Sequence, residues 1–369
     1  MLNNAKRIVI KIGSSLVTDE AAGRVREKWL LALAEDIHEL HQQKKQVIVV
    51  TSGAVALGRL QLGLPLKTAL QLEEKQAAAA CGQIELSAAW RDALGSHKLK
   101  VAQLLLTADD SIERRRYLNA RNTIDTLMEL GAIPIINEND TVATAELRFG
   151  DNDRLSARVA QMAGADLLIL FSDIDGLYSA DPRSDKNAKF IPEVHDITPE
   201  IEAMAGESSS DIGSGGMVTK IGAAKIALSA GCHMVIARGD VEHPLRILEK
   251  GGKHTHFHAK ESPLSARKHW IAGSIHPAGR ITIDEGAAKA LKSGKSLLPA
   301  GVKAIEGSFE RGDAVLIRDT QGKTLGKGLI AYSAEDAVRI LGKKSGEIEQ
   351  ILGFKRRDVL IHRDDMVLE

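Results

Sequence analysis

The sequence predicts an α/β protein: a three-layer αβα sandwich around a mainly parallel sheet, followed by a small, mostly β unit. Three observations carry that prediction. Short apolar runs recur as far as the histidine-rich stretch at 253–258, without the polar alternation of strands that have one wet face. Helix-length stretches stand between them, giving the strand and helix alternation of an α/β sandwich. From Arg280 the text changes to short β-like pieces separated by Gly301, Gly307, Gly312, Gly322, Gly326 and Gly328.

The strand runs are 7–12, 46–50, 101–106, 132–136, 166–171 and 233–237. Helices are expected over 27–40 and 70–94; the second contains Gln76-Ala77-Ala78-Ala79-Ala80, a strong helix former. The loops after the strands carry the chemistry. They read Gly13-Ser14-Ser15, Thr51-Ser52-Gly53-Ala54, Asn137-Glu138-Asn139-Asp140, Ser172-Asp173-Ile174-Asp175-Gly176 and Arg238-Gly239-Asp240. In an open parallel sheet they share the edge beyond the carboxyl ends of the strands, where ligands bind. One such turn alone is a loop filler. Several on one edge mark a site.

Near residue 255 the character changes. Lys253-His254-Thr255-His256-Phe257-His258 alternates histidine with other residues. Such a pattern could ligate a metal, but without a cysteine or carboxylate cluster it reads as a polar strand or the entry to a connection. The expected organisation is an α/β domain over 1–258, a linker over 259–277 containing Ser262, Pro263, Ser265, Gly273 and Pro277, and the β unit over 278–369.

The 369 residues are 44% hydrophobic and 27% charged, which excludes disordered and disulfide-scaffold classes. Lys+Arg and Asp+Glu both number 49, so binding to nucleic acid or membrane by bulk charge is disfavoured. An aromatic content of 3% disfavours base-stacking platforms. Cys81 and Cys232 read as reduced, buried small residues. No apolar stretch has the length of a bilayer span, and the first residues lack the core of a signal peptide, so a soluble, cytoplasmic protein is expected.

Gly213-Ser214-Gly215-Gly216-Met217-Val218-Thr219-Lys220 is a glycine-rich loop running into a helix expected to begin near Lys220. Glycines let backbone N–H groups converge on phosphate, and a helix N-terminus adds favourable partial charge. The spacing fits neither a Walker A loop nor a dinucleotide fingerprint, and a flexible turn is the plain alternative. Gly150-Asp151-Asn152-Asp153 precedes a helix; its residues either cap that helix or, through Asp153, position lysines or Mg²⁺. Lys11 lies inside an apolar strand, which is costly unless it reaches a site or a carboxylate. Lys11, Lys220 and Asp153 together would suit phosphoryl transfer, which needs positioned positive charge and little covalent help.

Lys11-Ile12-Gly13-Ser14-Ser15, Thr51-Ser52-Gly53-Ala54, Asn137-Glu138-Asn139-Asp140, Gly150-Asp151-Asn152-Asp153 and the glycine-rich loop occur in one order. Together they resemble the amino acid kinase family, and within it the glutamate 5-kinases of proline biosynthesis. The resemblance spans essentially the whole chain. Arg267-Lys268-His269-Trp270-Ile271 and the β unit after it are similar to the PUA domain that many bacterial members carry. The early lysine–glycine motif is shared across the superfamily; the Asn-Glu-Asn-Asp, Gly-Asp-Asn-Asp and Gly-Gly-Met-x-Thr-Lys trio is much more specific.

The resemblance implies ATP- and Mg²⁺-dependent phosphorylation of the γ-carboxylate of L-glutamate to L-glutamyl 5-phosphate. It implies that Lys11 and Lys220 contact the ATP phosphates and that Asp153 orients them. It implies glutamate binding by Ser52, Asp140 and Asn152, with Asn137, Arg148 and Asp151 nearby. Nucleotide binding falls to Lys11, Ser172, Asp173, Ser214, Gly215, Gly216, Met217, Val218, Thr219 and Lys220; metal ligands are left unassigned. Arg148 stands where relatives often carry lysine, and its planar fork is not a point charge, so affinity for substrate or inhibitor is expected to differ. A homo-oligomer, feedback inhibition by proline and handover of the unstable product to the next pathway enzyme are further implications. A carboxylate is already a nucleophile at neutral pH, so the lack of a recognisable general base fits this chemistry.

Alternatives are a family member acting on N-acetylglutamate, aspartate or UMP, disfavoured by the paired motifs and the C-terminal unit. An RNA-binding protein is the reading from another class. Residues 278–369 carry 16 Lys+Arg against 14 Asp+Glu, too weak a basic bias to promote it.

Overall fold

Eight strands form the sheet that the apolar runs anticipate: β1 (Arg7–Ile12), β2 (Gln46–Thr51), β3 (Lys100–Leu106), β4 (Ala132–Glu138), β5 (Leu167–Ser172), β6 (Glu193–Val194), β7 (His233–Arg238) and β8 (His254–Phe257). Their order is β6-β8-β7-β5-β1-β2-β4-β3. All pairings are parallel except β7 with β8. The computed structural model describes residues 1–19, 22–65, 68–143, 151–206, 216–274, 276–354 and 357–368. The chain divides into two compact units, Met1–Pro263 and Leu264–Glu369.

The first unit is three-layered because its strands are apolar on both faces. Ile8, Ile10, Ile12, Val47, Val49, Leu167 and Ile169 bury one face against helices α1 (Glu27–Gln42), α2 (Ala54–Gln61) and α3 (Leu72–Gly95). Val9, Ile48, Val50, Leu168, Leu170 and Ile236 bury the other against α4 (Arg114–Glu129), α5 (Asn152–Ala163) and α6 (Met217–Ser229). The two-residue period of a strand sorts them. From β1 the chain passes to β2, on to the edge strand β3, back to β4 between them, and then crosses to β5 on the other side of β1. The crevice where strand order reverses therefore opens beyond the carboxyl ends of β1 and β5.

Three glycines shape the approach to that crevice. Gly53 takes φ +115°, turning the chain from β2 into α2 in a conformation that disfavours other residues. Gly58 of α2 and Gly82 of α3 let the two helices touch backbone to backbone: a Cβ on Gly82 would strike the Ala54 carbonyl, and one on Gly58 that of Ala78. Cys232 is buried, but Cys81, beside this crossing, is only half-buried, which corrects the expectation that both are interior.

In the second unit, β9 (Gly279–Ile283), β10 (Val302–Gly307), β11 (Ala314–Asp319), β12 (Thr324–Leu329) and β13 (Met366–Leu368) form a sheet in the order β10-β9-β11-β12-β13. Ile281, Ile283, Val315, Ile317 and Tyr332 are buried in its core. The stretch 259–277 contains the helix Pro263–Ser274, whose Ile271 is buried with Ala314 and Leu329 and whose Arg267 donates to Asp365 Oδ1 at 2.7 Å.

Candidate active site

Lys11 is the fifth residue of β1, so it faces the same side as Val9, toward α5 and α6. That side supplies the partner a buried ammonium requires. Asp151 caps α5, its Oδ1 accepting from the Arg154 N–H at 2.8 Å. The cap sets Asn152 and Asp153 at the first turn, beside the strand ends. Asp153 Oδ1 lies 2.8 Å from Lys11 Nζ, as a charge contact without hydrogen-bond direction. Asp153 Oδ2 lies 3.3 Å from Lys220 Nζ and 2.7 Å from Thr219 Oγ1, both on α6. The Thr219 hydroxyl also lies 2.8 Å from the Gly216 carbonyl and, with one proton, donates to one acceptor at a time.

All three charged residues are buried: Asp153 is 0% exposed, Lys220 4% and Lys11 8%. Burial pushes the Asp153 carboxyl up, but the two ammoniums and the threonine hydroxyl outweigh it and hold it down at about 2. One carboxylate against two ammoniums leaves a net positive charge at the crevice, fixed in place and largely dry. Such a centre binds and stabilises anionic oxygen.

Beside it lies an uncharged polar cluster. Asn152 Nδ2 is 2.6 Å from Ser52 Oγ, 2.9 Å from the Thr51 carbonyl and 3.1 Å from Asn137 Oδ1, three acceptors sharing two protons. Asn137 Oδ1 also accepts from the Glu138 N–H, and Asn137 Nδ2 donates to Gln83 Oε1 at 2.9 Å. This network joins the ends of β2 and β4 to the head of α5 and the middle of α3. Asp151 is pushed above its ordinary value by burial and by neighbouring Asp153. Asp140 lies half-buried in the loop after β4, which is pinned by the Asn139 N–H donating to the Leu106 carbonyl.

At the end of β5, Ser172 Oγ donates to Asp173 Oδ1 at 3.0 Å, and Arg183 donates to Asp173 Oδ2 at 2.9 Å. The Gly239 N–H donates to the Ser172 carbonyl, joining the ends of β5 and β7. Gly216 caps α6 and is exposed like Val218; Met217 is half-buried. The helix starts at Met217, three residues earlier than expected. Arg148, Ser214 and Gly215 lie outside the described residues. The fold thus gathers Lys11, Asp153, Thr219 and Lys220 into one cluster and Ser52, Asn137 and Asn152 into a second that shares α5 with it. Gln83 joins the second cluster and Arg183 joins Asp173 without any local sequence signal, because each is brought in by tertiary contact alone.

Residues 6–238 match the amino acid kinase family, and residues 279–352 match the PUA domain. The chain belongs to the amino acid kinase family. A glutamate 5-kinase of Paramagnetospirillum magneticum is 63% identical over 99% of this chain and 98% of its own length. A glutamate 5-kinase of Rhodopseudomonas palustris is 57% identical over 100% of this chain and 97% of its own. Among solved structures, the carbamate kinase from Giardia lamblia bound to AMP-PNP superposes with a TM-score of 0.51 at 15% identity, covering 70% of this chain and 100% of that one. This last likeness is one of fold. Membership in the amino acid kinase family accounts for the α/β unit; none of the described helices is long and apolar enough to cross a membrane.

Proposed function

We propose that the chain transfers the γ-phosphoryl group of ATP to the γ-carboxylate of L-glutamate, forming L-glutamyl 5-phosphate. The observation that carries this reading is the buried Lys11–Asp153–Lys220 trio at the switch point of the sheet. Its net positive charge suits a transferring phosphoryl group, whose charge spreads over three oxygens in the transition state. The relatives matched over nearly their whole length are glutamate 5-kinases, which supplies the acceptor.

In this mechanism Lys11 and Lys220 touch the phosphate oxygens. Asp153 is the positioning residue: it fixes both ammoniums before substrate arrives, so little reorganisation remains at the moment of transfer. Ser52, Asn137 and Asn152 hold glutamate, with Asp151 fixing the helix start beneath Asn152 and Arg148 in the adjoining loop. Asp140 pairs with the α-ammonium. Ser172, Asp173 and the stretch from Ser214 to Lys220 hold the nucleotide, with exposed Gly216 leaving room for close backbone approach. The acceptor carboxylate is already ionised at neutral pH and attacks without a base. Mg²⁺ would arrive on the ATP phosphates. Among the described residues the groups of three or more ligating side chains lie away from the trio, so no residue here is assigned to the ion.

The same reading assigns catalysis to residues 1–258, a connection to 259–277 and a PUA domain to 278–369. It adds proline as a feedback inhibitor sharing the 137–152 region with glutamate, a homo-oligomer, a cytoplasmic setting and product handover to the next enzyme of the pathway. The test is an ATP-dependent assay with glutamate, aspartate and N-acetylglutamate, trapping acyl phosphate with hydroxylamine. Glutamate alone should give strong hydroxamate. Equal or better turnover of N-acetylglutamate would overturn the reading, because acetylation removes the charge that Asp140 recognises.

A further inference from the structure

At the opposite end of the sheet from Lys11, three imidazoles converge. His233 opens β7, while His256 and His258 sit two residues apart on and just after antiparallel β8, and so on one side of it. His233 Nδ1 and His256 Nε2 are 3.1 Å apart, and the His256 and His258 ring centroids 3.9 Å apart. One nitrogen from each of the three rings lies within 4.8 Å of the other two. Two nitrogens on one tetrahedral ion, each at about 2.0–2.1 Å, stand roughly 3.4 Å apart. The His233–His256 pair is already near that spacing, and a His258 nitrogen lies within 4.8 Å of both. His258 Nε2 is buried without a hydrogen-bond partner. Glu193 Oε2 lies 4.0 Å from it and 3.6 Å from His195 Nε2, and the His195 ring stacks on His258 at 4.3 Å.

We propose that His233, His256 and His258 form a zinc(II) site, completed by Glu193 or His195. Three imidazoles with a carboxylate or fourth imidazole suit a borderline-soft divalent ion and not the hard, oxygen-seeking Mg²⁺. The ligands come from β6, β7 and β8, the three strands at one edge of the sheet. An ion there ties the two-residue strand β6 and the antiparallel β8 to the parallel core. The role is structural and separate from phosphoryl transfer, since His233 begins a strand whose other end faces the crevice.

The test uses the full chain, stripped with a chelator and desalted. Zinc(II) is titrated by calorimetry, and cobalt(II) reports geometry through its visible absorption. One equivalent of zinc, a tetrahedral cobalt spectrum and a zinc-dependent rise in Tm are expected. His256→Gln and, separately, the more exposed His258→Gln should each weaken zinc binding on the order of a hundredfold. His97→Gln, in a stacked His38–His97 pair elsewhere, should leave it unchanged. Circular dichroism establishes that each variant is folded, and His258→Gln decides the matter if His256→Gln is not. No saturable zinc binding at micromolar metal, an octahedral cobalt spectrum, or unaltered binding in folded His258→Gln would overturn the proposal.

Discussion

Asp153 is held by two lysines that differ in origin, one from a strand and one from a helix. Replacing Lys11 or Lys220 by alanine leaves Asp153 with one counter-ion and removes charge from the transition state. A fall in kcat of roughly a hundredfold or more is expected, with circular dichroism unchanged; near-normal turnover in folded protein would show that the charge is not used. Asp153 itself makes a pH prediction. Its carboxyl is lowered from an ordinary 3.8 to about 2, so the unfolded chain takes up its proton first as pH falls. The stability it contributes is complete above about pH 5 and is lost progressively as pH falls toward 2. Asp153→Asn should remove that part of the acid slope in urea titrations and, by stranding two buried ammoniums, cost about 3–5 kcal/mol at neutral pH. Lys11 was legible because a charge inside an apolar strand needs a reason, and Asp153 because it opens a helix among acidic neighbours. Gln83 was not legible: nothing around it in α3 distinguishes it, and only the fold brings it to Asn137.

The α2–α3 crossing shows how an element can be sensitive where its residues look ordinary. Glycine inside a helix is ordinarily weakening, yet Gly58 and Gly82 each face a backbone carbonyl of the other helix. Gly82→Ala gains helix propensity of about 1 kcal/mol but forces the helices apart. A net loss of roughly 1–3 kcal/mol is expected by overpacking, measured as a lower urea midpoint. An unchanged or raised midpoint would mean that the crossing relaxes freely. The movement should also reach the site, since α3 carries Gln83 and Trp90, whose indole N–H donates to Thr51 Oγ1 at 3.3 Å. Long periodic elements were legible in the sequence: the helices expected over 27–40 and 70–94 are Glu27–Gln42 and Leu72–Gly95. Elements without a side-chain signal were not. The α6 start was misplaced because Gly216 caps it with backbone alone. Strand β6 has two residues, too few for a pattern; in β8 the alternating histidines leave a polar strand and a connection both open, and the structure has the strand, with Thr255 and Phe257 fully buried. The helix Pro263–Ser274 reads as a connection because its ends carry proline, serine and glycine, although proline in a first turn is also a start signal.

At the scale of the whole molecule, each unit has a core of its own. The sheet of the first is buried on both faces by its own helices, and the second packs Ile281, Ile317, Tyr332 and their neighbours separately. All the residues proposed for phosphate, glutamate and nucleotide lie between Lys11 and Lys220, inside Met1–Pro263. A unit with its own core and its own site can fold and act alone. The position of the cut matters. Ending the chain at His258, where the α/β domain was expected to stop, removes Ser262 and Pro263, whose backbone lies close against Gly231 in the turn before β7. It also removes Lys260, which pairs with Asp196. Ending at Pro263 keeps all of these. A chain of residues 1–263 is therefore expected to give native-like circular dichroism and to retain glutamate-dependent hydroxamate formation within a few-fold of the full chain. A chain of residues 1–258 should be less stable, with a lower Tm. Altered response to proline in either would be compatible, because a second unit can bias an equilibrium without touching the chemistry. A soluble, well-folded 1–263 chain without activity would place part of the catalytic apparatus after Leu264 and overturn the assignment of catalysis to the α/β unit.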